Sequence, residues 1–489
     1  KNKVRFNNRA RVAPIGTGAT GGGEDSDGRI NTFGIDYWMR YIQGGFSRVT
    51  LPMEVPIDGS HEHMFNLNPK TCNQMNFQRF QRAVHAFNGR TFAEFLHGGP
   101  YMRAGFKKIS ADDEPRLGSQ AATVADMEEV AALFGEYAHW AQIANFDGLL
   151  LHYGHGWLFN YFLSPLTNHR TDEFGGSIEN RCRFPVMILK EIRRVVGDSL
   201  LIELRLNGTD GVEGGITPEE CAEQVKIFQD YVDMVHITCG HRIDAFTRPK
   251  MHPTGFDPMA HNAWASEIVK KSGVNIPIGL VGGVYDPMVA EEVLAKGQAD
   301  YVLMGRSAMA DPEIIKKAKE GREDDIRPCL RCDYCLDHGR RVAISKDLHL
   351  LTYPSYDRQC MTNPMQFQSA QKLRIPPAER PKKVAVIGGG SVGAETAHLL
   401  LEQQQREIYI LEMRDGIGID LPQDSRICLL RIFDNSLDMH CLTGSRVTAI
   451  GDHSVSFVRD GSEQRLEDID TVVMAVGARP KASVLELLG

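Results

Sequence analysis

No apolar run in this sequence approaches the roughly 18 residues needed to cross a bilayer, and the opening stretch KNKVRFNNRARVAP lacks the apolar core of a secretory signal. Blocks of one charge sign are missing too. The 55 Lys and Arg are interspersed with 63 Asp and Glu for a net charge of -8, which argues against a nucleic-acid or anionic-membrane surface. There is no repeat of fixed period, and no low-complexity tract beyond the Gly-rich turn from Gly16 to Gly23. Six of the ten cysteines, Cys72, Cys182, Cys221, Cys239, Cys428 and Cys441, stand singly in apolar or helical stretches, which excludes a disulfide framework. A cytoplasmic chain is expected, with small molecules as partners and neither nucleic acid nor membrane. The 489 residues, 42% hydrophobic and 24% charged, suffice for two or three globular domains.

The other four cysteines are concentrated. CLRCDYC places Cys329, Cys332 and Cys335 at two-residue intervals, and Cys360 follows after 24 residues. Three thiolates on one short loop suit three corners of a cubane iron-sulfur cluster, the fourth ligand coming from farther along the chain. Structural zinc is the alternative, although it more often takes two separated C-x2-C pairs.

Eight β-type runs recur over the first two thirds: RARVAP, SRVTLP, RTFAEFLHG, FDGLLLHYG, LLIELRLN, VDMVHITCG, IPIGLVGG and ADYVLMGR. Between them, stretches such as VADMEEVAALFGEYAHWAQIA and TPEECAEQVKIFQDY space apolar residues by three and four with acids near their starts, as amphipathic helices do. Strands alternating with helices predict an α/β fold, an N-terminal (β/α)8 TIM barrel, rather than an open doubly wound sheet. His97, His152, His155, Arg205, His241, Gly282, Gly283, Gly305 and Arg306 fall at the C-terminal ends of these strands, where such barrels keep their chemistry. Each alone reads as an ordinary core or loop residue; together on one rim they predict a site. The VGG and MGR turns after strands seven and eight are expected to bind a phosphate.

HYGHGWLFNYFLSPLTNHRTDEFGGSIENRCRF, VGGVYDPMVAEEVLAKGQADYVLMGRSAMADP and the cysteine run together resemble the old yellow enzyme type of NADH:flavin oxidoreductase. The branch is that of 2,4-dienoyl-CoA reductase, trimethylamine dehydrogenase and the clostridial 2-enoate and bile-acid enone reductases. The resemblance implies FMN on the rim, its phosphate near Gly282, Gly283, Gly305 and Arg306, and Arg205 beside the flavin N1/O2 edge. It implies that His152 and His155 bond a substrate carbonyl oxygen and so make the conjugated alkene a hydride acceptor. Three departures stand out. Trp157 occupies the place of a proton-donating Tyr, which leaves His241 as candidate donor. Glu94 replaces a flavin-contacting Gln, and Gly16 replaces a Cys or Thr near flavin C4a. The implied activity is an NAD(P)H-dependent ene reductase, with electrons passing through FAD and a 4Fe-4S cluster to FMN and on to an unsaturated carbonyl substrate. An amine dehydrogenase, or an electron-transfer subunit without turnover, is the rival.

After the linker RIPPAERPKK, the strand of VAVIGGGSVGAETAHLLL leads into Gly388, Gly390 and Gly393 at the start of a helix, and Glu412 ends the next strand. Strand, glycines, helix and acid together form a dinucleotide fingerprint. Glu412 is expected to accept from a ribose 2'-hydroxyl and to favour NADH, while Arg414 leaves NADPH open. The expected organisation is a barrel over 1–322, a cluster segment and linker over 323–380, and a Rossmann-like domain over 381–489. With one fingerprint in view, the FAD-binding half is expected to be either shed or outside this sequence. A homo-oligomer is an open expectation, since apolar helices around barrels commonly pair.

Overall fold

The computed structural model describes residues 4–15, 30, 32–54, 75–102, 105–243, 246–336, 360–366, 380–402 and 406–477. The chain divides into two compact units, Lys1–Leu373 and Arg374–Gly489.

The first unit is built on eight parallel strands: β1 (Ala10–Val12), β2 (Arg48–Glu54), β3 (Arg90–Leu96), β4 (Gly148–His152), β5 (Leu201–Thr209), β6 (Met234–Cys239), β7 (Ile278–Val281) and β8 (Tyr301–Met304). All eight start within the runs read as strands, and β2 and β5 each continue two residues beyond them. Their order, β1-β8-β7-β6-β5-β4-β3-β2, runs once around a barrel. At the seam the backbone N–H and hydroxyl of Ser47 both donate to the Ala10 carbonyl, at 3.1 and 2.8 Å. Helices fill the crossovers, and their starts follow from local chemistry. Thr123 and Asp126 form a reciprocal capping box on Val124–Ile143, Ser177 caps Ile178–Val196, and Thr217 with Pro218 opens Pro218–Phe228.

Alternation along β5 places chemistry inside the barrel. Ile202, Leu204 and Leu206 join the apolar core, whereas Glu203, Arg205 and Asn207, at the intervening positions, meet buried polar partners. Glu203 is the centre of a fully buried cluster. It pairs with Arg48 of β2, lies 3.0 Å from His236 Nδ1 of β6, accepts from the Tyr301 hydroxyl of β8 at 2.6 Å, and has Arg11 of β1 at 3.6 Å. Burial alone would raise its carboxyl, but the charge of Arg48, then His236 and Arg11, hold it far below the usual carboxylate range.

The second unit carries a parallel sheet of β9 (Lys382–Ile387), β10 (Arg406–Leu411), β11 (Met439–Leu442) and β15 (Thr471–Met474), ordered β11-β10-β9-β15. An antiparallel meander of β12 (Arg446–Gly451), β13 (Ser454–Arg459) and β14 (Ser462–Glu467) is inserted before the last strand. With helices Ser391–Glu402 and Gln423–Asp434 this is a Rossmann-like domain. No described helix is long and apolar enough to cross a membrane.

Candidate active site

The strand register sets His152, Arg205 and His236 abreast on β4, β5 and β6, with Glu94 two residues back on β3. Side chains that are distant in sequence therefore meet at the top of the barrel. His152 Nδ1 lies 3.1 Å from Glu94 Oε1, and Arg205 lies 3.7 Å from the same oxygen. His155 stands beside His152, ring centroids 4.9 Å apart, and its Nε2 is held 2.8 Å from the Thr238 hydroxyl. Burial first, then the charge of Arg205, pushes both imidazoles well below their ordinary value, so both are neutral near pH 7. Burial raises Glu94 to about 7 against the opposing charge of Arg205, so its carboxyl keeps its proton far above the normal range.

Sequence reasoning missed the groups that hold the pair. His155 adopts φ 63, a left-handed backbone uncommon outside glycine, and its N–H donates to Asn207 Oδ1 at 3.0 Å. Asn207 is fixed in turn by Asp210 at 2.7 Å, Asn160 at 3.2 Å and the Gly240 carbonyl at 3.0 Å, all buried. The signal was available in LLIELRLN, where three polar residues alternate with apolar ones along one strand.

His241 lies past β6, its ring 5.6 Å from that of Tyr161. Its Nδ1 accepts the Ile243 N–H at 3.1 Å, which leaves the proton of the neutral ring on Nε2. Gly16 lies outside the described residues.

The phosphate expectation meets a more occupied setting. Gly282 and Gly283 have φ of +114 and +80, and a Cβ would lie 2.3 Å from Asn262 Nδ2 and 2.9 Å from the His261 amide, so packing by the loop after β6 already requires glycine there. At Gly305 a Cβ would meet nothing nearer than Ala13, at 3.5 Å. The Arg306 guanidinium pairs with Asp333, donates to the Pro253 carbonyl at 2.6 Å, and also meets the Tyr285 hydroxyl.

Arg306 also lines a pocket shared by Cys329, Cys332, Cys335 and Cys360. The four sequence-predicted thiols thus converge, although among the described residues no group of three or more His, Cys, Asp or Glu is set at metal-binding spacing. Burial pushes Cys335 up to about 11 and raises Cys329 as well, so a metal would have to displace their protons on binding; it is the four sulfur donors lining one pocket that suit a soft metal. For a flavin or substrate at the rim, the fit rests on buried polar atoms. His97 Nε2, His152 Nε2 and Arg205 Nε have no hydrogen-bond partner among the described residues.

In the second unit Gly388 has φ +100, and a Cβ on Gly393 would lie 1.8 Å from the Gly388 carbonyl oxygen, the tight strand-to-helix turn of a dinucleotide fold. Gly390 is the more open of the three, since a Cβ there would meet Asp420 at 3.3 Å and Arg414 at 3.6 Å. Glu412 Oε2 accepts the Gly389 N–H at 2.6 Å and Oε1 the Arg414 N–H at 2.8 Å. Burial would raise this carboxyl, but those amides and the Arg414 side chain bring it below its ordinary value.

Residues 3–325 match the family described as NADH:flavin oxidoreductase / NADH oxidase, and residues 347–489 match pyridine nucleotide-disulphide oxidoreductase. The chain is 31% identical over 422 residues to an NADH oxidase of Thermoanaerobacter brockii, covering 84% of this chain and 62% of that protein. It is 27% identical over 432 residues to a cinnamate reductase of Clostridium sporogenes, covering 81% and 61%. It thus spans about three fifths of the length of these curated relatives. Histamine dehydrogenase from Rhizobium sp. 4-9 shares the fold, with a TM-score of 0.71 at 21% identity over 97% of this chain and 68% of that one. Because the first match runs through all eight barrel strands, this chain belongs to the NADH:flavin oxidoreductase / NADH oxidase family, of the old yellow enzyme type, and carries a C-terminal domain of the pyridine nucleotide-disulphide oxidoreductase type.

Proposed function

We propose that this chain is an ene reductase that reduces a C=C bond conjugated to a carbonyl, with NADH as the source of electrons. The observation that carries the reading is the pair of buried, neutral imidazoles 4.9 Å apart, one with an unpartnered Nε2, beside a buried guanidinium. Neutral imidazoles suit hydrogen bonding to an oxygen. Two such bonds on the carbonyl oxygen draw electron density from the alkene and favour addition at its β-carbon. FMN, when bound, supplies the hydride. Arg205 would face its pyrimidine edge, where a fixed cation stabilises the reduced ring.

Glu94 acquires a definite task in this reading. His152 can donate from Nε2 as a neutral ring only if Nδ1 is an acceptor, and Nδ1 accepts only if Glu94 is protonated. A carboxyl whose proton is held to about 7 meets that demand, where an ordinary carboxylate would turn the ring the wrong way. His241, whose proton sits on Nε2, would deliver the proton to the α-carbon. Cys329, Cys332, Cys335 and Cys360 would hold the 4Fe-4S cluster, whose chemistry is one-electron transfer. Gly388, Gly390, Gly393 and Glu412 would hold NADH, and FAD is assigned to the complete protein.

Anaerobic stopped-flow absorbance tests the proposal. NADH should bleach the flavin band of the purified protein, and an enone or enoate should restore it. Bleaching that no unsaturated carbonyl compound reverses would refute the ene-reductase reading and favour amine oxidation or simple electron transfer.

A further inference from the structure

We propose that the short helix after β8, Arg306–Ala310, supports both the thiol pocket and the flavin rim, with Asp333 and Asn363 as the positioning residues that tie the two halves of the pocket to it, so that the cluster and FMN strengthen one another's binding. This coupling rests on the FMN and cluster reading and adds an interdependence that neither cofactor implies alone. The thiols come from two stretches, Cys329 to Cys335 and Cys360, and both fasten to the same five-residue helix. From the first, Asp333, between Cys332 and Cys335, pairs with the Arg306 guanidinium, and the Arg327 guanidinium donates to the Ala310 carbonyl at 3.0 Å. From the second, Asn363 Nδ2 donates to the Met309 carbonyl at 2.7 Å. Three residues on, Gln366 Nε2 donates to the Tyr37 hydroxyl at 2.8 Å, and Asn363 and Gln366 are each only 2% exposed. Arg306 and Met309 line the pocket beside the four thiols. The backbone of the first stretch shows the grip. Asp333 has φ 56 and Arg331 φ 55, left-handed conformations that residues other than glycine keep where surrounding contacts hold them, and the Arg331 guanidinium donates to the Asp257 carbonyl at 3.0 Å.

The same helix is fastened to the rim. The buried Ser307 hydroxyl donates to the Val284 carbonyl at 3.0 Å, directly after the Gly282-Gly283 turn, and Arg306 also meets the Tyr285 hydroxyl. The turns after β7 and β8, expected to hold the FMN phosphate, therefore share a support with the thiol pocket. Four sulfurs drawn to one cluster fix Asp333 and Asn363, and through them Arg306 and Met309. Ordering one end of such a support reduces the entropy lost when the other end is filled. By linkage the effect is reciprocal: the factor by which the cluster raises FMN affinity is the factor by which FMN raises retention of the cluster.

The test uses the purified holoenzyme. FMN is stripped with bromide, and quenching of flavin fluorescence gives its Kd in wild-type protein with the cluster intact and after removal of the cluster with ferricyanide and EDTA, iron and acid-labile sulfide being assayed in each. Removal of the cluster should weaken FMN binding at least about tenfold, within the usual range of coupling between two sites. In the reverse direction, added FMN should slow the loss of iron from the intact wild type to chelator. Asp333→Asn keeps all four thiols and loses the ion pair to Arg306, and Asn363→Ala loses the bond to Met309; in each, both effects should shrink toward nothing. Equal FMN affinity with and without the cluster, or iron loss indifferent to FMN, would overturn the coupling, as would effects of full size in both variants. The two wild-type measurements decide the matter even if a variant fails to fold. Protein that holds FMN but neither iron nor sulfide sinks the cluster reading and the coupling with it, whereas protein that holds the two cofactors independently sinks the coupling alone.

Discussion

Replacing Glu94 with Gln tests the link between one buried proton and the orientation of His152. The carboxyl sits 3.1 Å from His152 Nδ1 and 3.7 Å from Arg205, and burial raises it from 4.5 to about 7. The folded state therefore holds this proton more tightly than the unfolded chain does. The stability it contributes is complete below 4.5 and is lost as pH climbs through about 7. At about 1.4 kcal/mol per pH unit the loss comes to roughly 3 kcal/mol for the wild type, and Glu94→Gln should not show it. Denaturant unfolding of the barrel at pH 5 and pH 8.5 for both proteins reads the difference. Subtracting one variant from the other cancels His97 and His236, which burial lowers to about 3 and about 4 and whose contributions are lost as pH falls below 6.5. Catalysis should follow the same proton. Above pH 7 wild-type kcat/KM should fall about tenfold per unit, as Glu94 ionises and His152 Nε2 turns from donor to acceptor. The amide of Glu94→Gln can donate to Nδ1 at every pH, so its alkaline limb should be flat. Superimposable stability curves and identical alkaline limbs would refute the coupling.

Glu203→Gln should cost about 3–5 kcal/mol, because Arg48 and Arg11 would be left buried without their counter-ion; a shift in the denaturant midpoint measures it. Asn207→Ala removes the acceptor that holds His155 at φ 63 and should lower kcat/KM by about 10- to 100-fold. Steady-state kinetics beside a thermal melt separates that loss from simple unfolding, and unchanged kinetics would show that the loop is held by other contacts. Anaerobically purified protein should contain about four iron atoms and matching acid-labile sulfide per chain, both absent in Cys335→Ser. Zinc in their place would refute the cluster.

The barrel was legible because its eight strands are short apolar runs, bounded by turn residues and separated by amphipathic stretches, and each pattern has one local cause. His152, Arg205 and Glu94 were legible through resemblance, but their mutual contact was not, since it depends on parallel register across β3, β4 and β5. Two readings met a different setting. Gly282 and Gly283 read as glycines of a phosphate-binding turn, and a Cβ at either would in addition meet Asn262 or His261, a tertiary contact no local pattern encodes. Arg306 read as a phosphate ligand, while its guanidinium lies between Asp333 and Tyr285, 27 and 21 residues away in sequence. Asn207 and Thr238 escaped notice because a polar residue within a strand becomes informative only once it is known which face points inward.

The Glu203 cluster bears on how such a barrel can come into being. One carboxylate on β5 engages arginines from β1 and β2 and also a histidine and a tyrosine from β6 and β8. A fragment ending after β4 would enclose two guanidiniums with no anion between them, and one beginning at β5 would enclose an anion deprived of both. Neither half is electrostatically self-sufficient. The two halves of the barrel are therefore expected to be inseparable as autonomous folding units, soluble only when expressed together.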